Sequence, residues 1–251
     1  MSDESAQVFR LAYVPGVTPA KWARVWTERM PDIPIELILV ESASGAACVR
    51  DERVDAALLR LPLEREGLSV IGLYTEASVV VVPAEHAIAA VEEVTVADLD
   101  DETVLQPLDD VLDWARRPGT EAFERPATTE GAMSHVASEV GVLVTPQSLA
   151  RLYHRKDVTY RPVVDAPQSQ VGLVWLTDRT TDLVDEFVGI VRGRTANSSR
   201  GRHDEQENKS KRRGERQGSQ PRKSVDDKKP KTRRGNGGRP KSAGRARKRR
   251  G

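Results

Sequence analysis

The sequence predicts an α/β fold over residues 8–193, followed by a basic segment with no core of its own. Short apolar runs without polar alternation, such as residues 54–62, are typical of strands buried on both faces of a sheet. Between these runs, apolar residues recur at helical spacing. Almost no apolar residue follows Val191, so the core belongs to the first 193 residues. That length is sufficient for one domain or for two small lobes.

The run at residues 54–62 predicts the central strand, and it carries an arginine, Arg60, near its end. In open α/β sheets, ligands bind outside the carboxyl ends of the strands. A guanidinium group at that position is therefore a candidate contact for an anion. The alternative is that Arg60 pairs with an acidic neighbour such as Glu64. The sequence leaves both interpretations open.

The residues before the central strand predict a β-α-β-α-β unit. Strands are expected at residues 8–14 and 35–41, and a helix that contains Trp22 and Trp26 is expected between them. The following helix is expected to begin at Ser44 and to run to about Arg53. Such a unit predicts parallel strands with right-handed crossovers.

Three hydroxyl side chains in this unit are candidate ligand contacts. Thr18-Pro19 predicts a helix start, with Thr18 as the N-cap residue. The free N–H groups of that helix would form an anion site, so Thr18 could cap the helix, contact a ligand, or do both. Ser42 and Ser44 follow the second strand in the same way. Their hydroxyls could equally satisfy backbone groups only.

The remaining residues predict further alternation of strands and helices, closed by Gly193 as a C-cap. Strands are expected at residues 68–74, 77–82, 103–106, 140–146 and 171–176, with a strand end at residues 127–129. Helices are expected at residues 109–117, 130–139, 147–155 and 181–192, with short helical turns within residues 84–99.

Composition argues against several classes of protein. The only cysteine, Cys48, excludes an internal disulfide framework and a Cys-based zinc site, and we interpret it as a small core residue. No apolar stretch reaches the roughly 18–20 residues of a membrane span, and the N-terminus does not resemble a signal peptide. We therefore expect a cytoplasmic protein with no membrane partner. Neither metal spacing among the four histidines nor a nucleophile or phosphate-loop motif occurs, which predicts a protein that is not an enzyme and has no cofactor.

Five short motifs, in order and at matching spacing, resemble the effector-binding domain of the LysR-type transcriptional regulators. The motifs are Met30-Pro31, Glu52-Arg53-Val54-Asp55-Ala56-Ala57, Pro83-Ala84-Glu85-His86-Ala87-Ile88-Ala89, Val96-Ala97-Asp98-Leu99 and Val140-Gly141-Val142-Leu143-Val144-Thr145-Pro146.

The resemblance implies a two-lobed α/β fold like that of the type 2 periplasmic binding proteins. Lobe I would comprise residues 8–76 plus 171–193, and lobe II would comprise residues 77–170. The family binds its ligands in the cleft between the lobes, and we expect a small anionic metabolite there. A homodimer is compatible with the resemblance. By position, the ligand-lining segments of the family imply these contacts: Thr18, Ser42, Ser44, Arg60, Thr128, Thr129 and Thr145.

The sequence departs from the family pattern at its start. Members of the family begin with a winged helix-turn-helix and a long dimerising helix, whereas seven residues precede the first expected strand. We therefore expect DNA binding to come from the C-terminal segment or from a partner. A remote alternative is an enzyme related to prephenate dehydratase on a similar bilobal fold, but its catalytic threonine motif is not evident.

Residues 194–251 form a basic tail that is expected to be disordered, because its composition cannot offset the entropy of ordering. The tail holds 22 of the 39 basic residues and 6 of the 38 acidic residues, which gives it a net charge of +16 against −15 for residues 1–193. Phosphate binding is the natural chemistry of such a segment. The candidate contacts to nucleic acid are Arg212, Arg213, Arg233, Arg234, Arg239, Lys241, Arg247, Lys248, Arg249 and Arg250.

Three interpretations of the tail remain open at this point. Residues 238–241 resemble the core of an AT-hook, although Gly237 stands where that motif has an arginine. The tail could instead bind polyanions generally, or it could solubilise the chain. The leading hypothesis is a small-molecule sensor in transcription regulation whose tail binds nucleic acid. The alternative is a ligand-free interaction protein that binds nucleic acid or an acidic partner through the tail.

Overall fold

The computed structural model describes residues 7–194, which form two larger β-sheets, with helices packed against them, and one two-stranded sheet. The first sheet has five strands in the order β2-β1-β3-β10-β4, the second has three in the order β8-β5-β9, and β6 pairs with β7. The strands are β1 Phe9–Tyr13, β2 Ile35–Leu39, β3 Ala56–Leu61, β4 Leu68–Glu76, β5 Ser78–Pro83, β6 Thr103–Val104, β7 Thr120–Glu121, β8 Leu143–Pro146, β9 Val158–Pro162 and β10 Ser169–Leu176. The helices are α1 Ala20–Arg29, α2 Gly45–Arg50, α3 Thr129–Ala137, α4 Gln147–Leu152 and α5 Asp182–Val191.

The first sheet contains the predicted β-α-β-α-β unit. Strand β1 pairs in parallel with β2, where Phe9 lies opposite Ile35, and with β3, where Leu11 lies opposite Ala56. The prediction of parallel strands is therefore confirmed. Strand β3 lies in the middle of the sheet and all six of its residues are buried, as its continuous apolar run predicted. Strand β10, the last strand in the sequence, lies between β3 and β4 in the first sheet and pairs antiparallel with both.

Aromatic side chains from a strand and two helices form the centre of the first core. The Phe9 ring stacks on Trp26 of α1 at 4.4 Å between centroids, and Phe187 of α5 lies 5.2 Å from Phe9. All three side chains are fully buried. Trp26 donates its indole N–H to the carbonyl oxygen of Ile33 at 2.8 Å, so its one polar atom is satisfied. This packing fixes α1 and α5 on the same sheet.

The valine run of β5 lies at the centre of the second sheet and separates two apolar clusters. Val80 and Val82 pack into a cluster with Leu99, whereas Val79 and Val81 pack into a cluster with Met133. Successive side chains of a strand point to opposite faces, so a strand that is covered on both faces needs apolar residues at every position. This requirement explains why the run has no polar alternation.

The chain passes twice between the two sheets. Strand β4 ends at Glu76 and β5 begins at Ser78, and the return passes from Pro162 at the end of β9 to Ser169 at the start of β10. The Ser78 hydroxyl donates to the carbonyl oxygen of Pro167 at 2.5 Å, which ties the two connections together. The division into a lobe I and a lobe II that behave as separate domains stays a prediction.

Two predictions for residues 109–129 are wrong. No helix forms over residues 109–117, because the Asp110 carboxylate accepts the backbone N–H of Leu112 at 3.0 Å and also pairs with Arg117. Such local side-chain bonds to the backbone compete with a helix. Residues 127–129 are not the end of a strand. Thr128 is instead the N-cap of α3, and its hydroxyl accepts the backbone N–H of Gly131 at 3.0 Å.

Two predictions about helix starts also need correction, and two strands were missed. The predicted cap Thr18 makes no capping bond, because Pro19 already has helical dihedral angles and occupies the N-cap position of α1. Ser44 does occupy the N-cap position of α2, but its hydroxyl donates to the carbonyl oxygen of Glu41 at 3.4 Å instead of capping the helix. The sequence did not predict strands β7 and β9. Within residues 7–194, no helix is long and apolar enough to span a membrane.

Candidate functional site

A cavity of about 750 Å³, here called the acidic cleft, lies where the carboxyl ends of β1, β2 and β3 meet loops from the other half of the domain. Its first wall follows those three strands. The opposite wall comes from the irregular segment after β6, from the start of α3 and from α4. The residues that line it are Pro15, Glu41, Ser42, Ala43, Arg60, Leu61, Pro62, Leu108, Asp109, Asp110, Val111, Leu112, Asp113, Ala127, Thr128, Thr129, Glu130, Leu149 and Tyr153.

The acidic cleft brings together four of the seven candidate ligand contacts. Those four are Ser42, Arg60, Thr128 and Thr129. Thr18 lies instead in a second cavity of about 660 Å³, which also includes Glu76, Ser148 and Arg151. Ser44 and Thr145 line neither cavity, and Thr145 is only 3% exposed within β8. The ligand contacts of all seven residues stay predictions.

Arg60 forms a buried ion pair with Glu76, so the proposed pairing with Glu64 is wrong. The Nη1 atom of Arg60 donates to Oε2 of Glu76 at 2.5 Å, and the two side chains are 5% and 11% exposed. Glu64 instead lies 3.9 Å from Arg50. The correct partner is at the end of β4, which the sheet separates from β3 by the intervening strand β10.

The ion pair is part of a hydrogen-bonded group, here called the Arg60 cluster, that consists of Arg60, Glu76, Ser148 and Ser169. Nη1 of Arg60 also donates to the Ser169 hydroxyl at 2.9 Å, and Nη2 donates to the Ser148 hydroxyl and to the carbonyl oxygen of Pro15, both at 3.1 Å. The Ser148 hydroxyl in turn donates a hydrogen bond to Oε2 of Glu76 at 2.9 Å. Because Ser148 belongs to α4, the cluster connects both halves of the domain.

The Nη groups of Arg60 are engaged by the protein. Its four Nη donor contacts all go to protein groups, and its charge is balanced by Glu76. The Nε atom is buried and has no hydrogen-bond partner among the described residues. The guanidinium group therefore joins strands β3, β4 and β10 to α4, and its contact with a ligand stays a prediction.

The two threonines of the cleft are likewise engaged by the protein. Thr128 uses its hydroxyl oxygen as the N-cap of α3. Thr129 is 2% exposed and donates its hydroxyl proton to Oδ1 of Asp109 at 2.8 Å. Glu130 follows in the first turn of α3, where a carboxylate interacts favourably with the helix dipole.

Five carboxylates line the cleft, and most of them have no cationic partner. Asp110 pairs with Arg117. Within residues 7–194, no Lys, Arg or His nitrogen lies within 4 Å of the carboxylates of Glu41, Asp109, Asp113 and Glu130. Burial raises the pKa of Tyr153 above its ordinary value, and the nearby charges of Glu130 and Asp109 raise it further. The free charge of the cleft is therefore negative.

Sequence reasoning missed these carboxylates. Asp109, Asp110 and Asp113 fell within a predicted helix, where acidic residues are usually solvated surface groups. The close spacing of these three aspartates was the only feature of the sequence that could have indicated an acidic site. The described residues contain no group of three or more His, Cys, Asp and Glu side chains that could hold a metal ion.

Comparison with known proteins assigns the fold and the family. The model of the LysR substrate binding domain matches residues 2–196. The activator HcaR of the hca operon of Escherichia coli K12 is 24% identical over 180 residues, which cover 67% of this chain and 60% of that protein. A probable hydrogen peroxide-inducible genes activator of Mycobacterium leprae is 27% identical over 163 residues, 59% of this chain and 52% of that protein. The chain thus spans between about half and three fifths of the length of these relatives.

Solved structures show the same fold. The reduced form of OxyR superposes with a TM-score of 0.62 at 22% identity, covering 76% of this chain and 97% of that chain. The effector-binding domain of BenM with its effector benzoate gives a TM-score of 0.64 at 17% identity, covering 74% and 90%. The predicted two-lobed, type 2 periplasmic-binding-protein-like fold is therefore confirmed. The chain belongs to the LysR substrate binding domain family, the effector-binding domains of transcriptional regulators.

Proposed function

We propose that this domain binds a small-molecule effector in the acidic cleft and thereby takes part in transcription regulation. The observation that carries the proposal is the position of the cleft, at the carboxyl ends of three parallel strands and against the opposite half of the domain. Ligands of open α/β sheets bind at that edge. The volume of about 750 Å³ lies within the range of about 300–1,000 Å³ that is typical of small-molecule sites.

The lining of the cleft also suits a small ligand. Leu61, Pro62, Leu108 and Leu149 provide apolar surface, and the hydroxyl of Ser42 and several carboxylates provide polar groups. Pockets of this mixed kind bury the body of a ligand and orient it through a few polar contacts. Among the similar structures, BenM was solved with its effector benzoate.

The proposal is tested by a thermal-shift screen of small metabolites on the full chain, with one variant that fills the cleft. Ala43 lines the cleft and is exposed, so Ala43→Phe should occupy the ligand volume. Ala47 is an exposed residue of α2 that lines neither cavity, so Ala47→Phe is the matched control. A ligand at about 100 times its Kd should stabilise the native protein and the control by about 2.7 kcal/mol, and Ala43→Phe much less. Equal stabilisation of both variants would place the ligand elsewhere.

We also propose that the basic tail binds nucleic acid with little sequence preference. Residues 195–251, and with them all ten candidate contacts from Arg212 to Arg250, lie outside the described residues, so composition alone supports this proposal. If about 6–10 phosphates are contacted, affinity for duplex DNA should fall by about 10³-fold or more between ~50 and ~200 mM salt. The isolated tail should bind more tightly than the full chain, because the body carries −15 and competes for it.

Fluorescence anisotropy on the full chain, residues 1–193 and residues 194–251 across a salt series tests the tail. A body that binds DNA as well as the full chain, or a tail without a salt dependence, would contradict the proposal. The anisotropy series and the thermal-shift screen together distinguish the proposed function from the alternative, a ligand-free interaction protein. That alternative gains support if the tail binds DNA and no compound stabilises the protein.

A redox switch based on an internal disulfide is not part of the proposed function. Structures of OxyR, one of the similar folds, include both a reduced and an oxidised form. This chain has one cysteine, Cys48, which is 5% exposed in α2. A disulfide needs two cysteines, so none can form within residues 1–251.

A further inference from the structure

We infer that the Ser148 hydroxyl locks the two halves of the domain together and so holds the acidic cleft in its closed form. The first half comprises residues 7–76 and 169–194, with the five-stranded sheet, and the second half comprises residues 77–168. This inference rests on the proposed function, because it names how the same cleft is regulated. It follows from the contacts that cross between the halves and from their place beside the two connections.

The polar contacts that cross between the two halves involve a single residue of the second half, Ser148, within the described chain. Its hydroxyl accepts a hydrogen bond from Nη2 of Arg60 at 3.1 Å and donates one to Oε2 of Glu76 at 2.9 Å. Among residues 7–194, every other hydrogen bond and every ion pair joins groups of the same half. Ser148 is therefore the polar tie between the halves.

The apolar cores of the two halves are separate. Phe9 and Phe187 belong to the core of the first half, whereas Leu99 and Met133 belong to clusters of the second, and no buried cluster within residues 7–194 draws on both halves. The contacts at the boundary must therefore hold the halves together. Both bonds of Ser148 involve charged groups, and such a bond corresponds to roughly a tenfold or larger change in an equilibrium constant.

The lock lies beside the two connections about which the halves can rotate. Glu76 immediately precedes the first connection, at Ala77, and Ser169, which also accepts a bond from Arg60, immediately follows the second. Hydrogen bonds are lost when donor and acceptor move beyond about 3.5 Å, so the halves cannot rotate apart while Ser148 keeps both partners. The acidic cleft is lined by residues of both halves, including Arg60, so the same rotation opens it.

A glycine lets the halves approach closely at the lock. Gly16, in the loop after β1, has a positive φ of 83°. A Cβ atom at this position would lie 2.6 Å from Oγ of Ser148, 2.9 Å from Nη2 of Arg60 and 3.1 Å from the Leu149 side chain, which is buried and lines the cleft. A side chain at residue 16 would therefore push the second half away from the first. This gives an independent way to release the lock.

Pulsed electron-electron resonance between two nitroxide labels measures the opening directly. The labels are attached to the full chain at Ala47→Cys in α2 and Ser134→Cys in α3, in a Cys48→Ala background that removes the native thiol. Both positions are exposed and lie on helices that begin beside opposite walls of the cleft. We expect one narrow distance distribution in this parent and a second, longer distance in Ser148→Ala. Gly16→Ala keeps the hydroxyl and the guanidinium group and should also produce the longer distance.

A matched control removes a serine hydroxyl whose bond stays within one half. The Ser69 hydroxyl lies 2.9 Å from the Thr177 hydroxyl, and both residues belong to the first half, so Ser69→Ala should keep the single distance. An unchanged distribution in Ser148→Ala, or a longer distance that Ser69→Ala shares, would overturn the lock. Circular dichroism checks that each variant is folded, and Ser148→Ala decides alone if Gly16→Ala does not fold.

The distances and the ligand screen fail independently. A single distance in Ser148→Ala would overturn the lock, while a ligand whose stabilisation is lost in Ala43→Phe would still support the proposed function. A screen in which no compound stabilises the protein would count against the proposed function. In that case a longer distance in Ser148→Ala would still show that the Ser148 hydroxyl holds the two halves together.

Discussion

Removing either member of the Arg60–Glu76 ion pair should strongly destabilise the domain. The pair is joined at 2.5 Å, and the two side chains are 5% and 11% exposed. Glu76→Ala would leave a guanidinium group buried without its countercharge, and Arg60→Ala would leave a buried carboxylate. Breaking a buried pair by removing one partner typically costs about 3–5 kcal/mol.

The contacts of Arg60 determine how the two single variants compare. Arg60→Ala also removes the bonds to Ser169, Ser148 and Pro15, which hold β10, α4 and the loop after β1 together. We therefore expect it to be at least as destabilising as Glu76→Ala. At roughly 2–4 °C per kcal/mol for a domain of this size, each loss corresponds to a fall in Tm of roughly 6–20 °C.

Urea unfolding of the two single variants and of the double variant measures the coupling between the side chains. The double variant should lose several kcal/mol less than the sum of the single losses, because it leaves neither charge buried alone. The exposed pair of Arg10 and Glu36, at 3.6 Å with both side chains more than half exposed, is the control and should contribute about 0–1 kcal/mol. Additive losses below about 1 kcal/mol each would refute the structural role of the Arg60 cluster.

Three further predictions concern local structure. Gly119→Ala should cost clearly more than Gly67→Ala in thermal unfolding: both glycines have positive φ, but the new Cβ at 119 would lie 2.4 and 2.8 Å from two carbonyl oxygens, and the one at 67 would meet nothing within 4 Å. Thr181→Ala should cost about 1 kcal/mol in urea unfolding, because the Thr181 hydroxyl caps α5; no loss would contradict that role. Bonds from the backbone and hydroxyl of Thr95 lower the pKa of Asp98, so their contribution is present above its ordinary pKa of about 3.9 and is lost as pH falls through the folded value. Asp98→Asn should then flatten the loss of stability below about pH 4, and an unchanged pH profile would count against it.

Local patterns in the sequence predicted most of the elements that build the two cores. The apolar runs of β3 and β5 are continuous because both faces of each strand are covered, and that requirement is visible in the sequence. The sequence also indicated the end of α5, because it has a glycine, Gly193, at the expected C-cap. In the structure Gly193 has the positive φ of 72° that such a position favours. Apolar runs and helix-end residues of this kind predicted the fold class and the β-α-β-α-β unit of the first sheet.

The candidate site was predicted only in part, because its chemistry depends on contacts between distant residues. The sequence and its family resemblance indicated seven residues near a cleft, and four of them, Ser42, Arg60, Thr128 and Thr129, lie in its lining. It could not indicate what those side chains contact. Local spacing suggested Glu64 for Arg60, but the sheet order brings Glu76 to it instead.

The sequence by itself therefore determined which segments are buried strands and helices, since periodicity and apolar runs report burial directly. Only the tertiary structure decided the charge of the cleft. Arg60 meets Ser148 and Ser169 across 88 and 109 residues of chain, and Glu41 faces the carboxylates that follow β6 across the cavity. Whether a charged side chain is balanced by an opposite charge depends on its neighbours in space. Folding sets those neighbours independently of their distance along the chain.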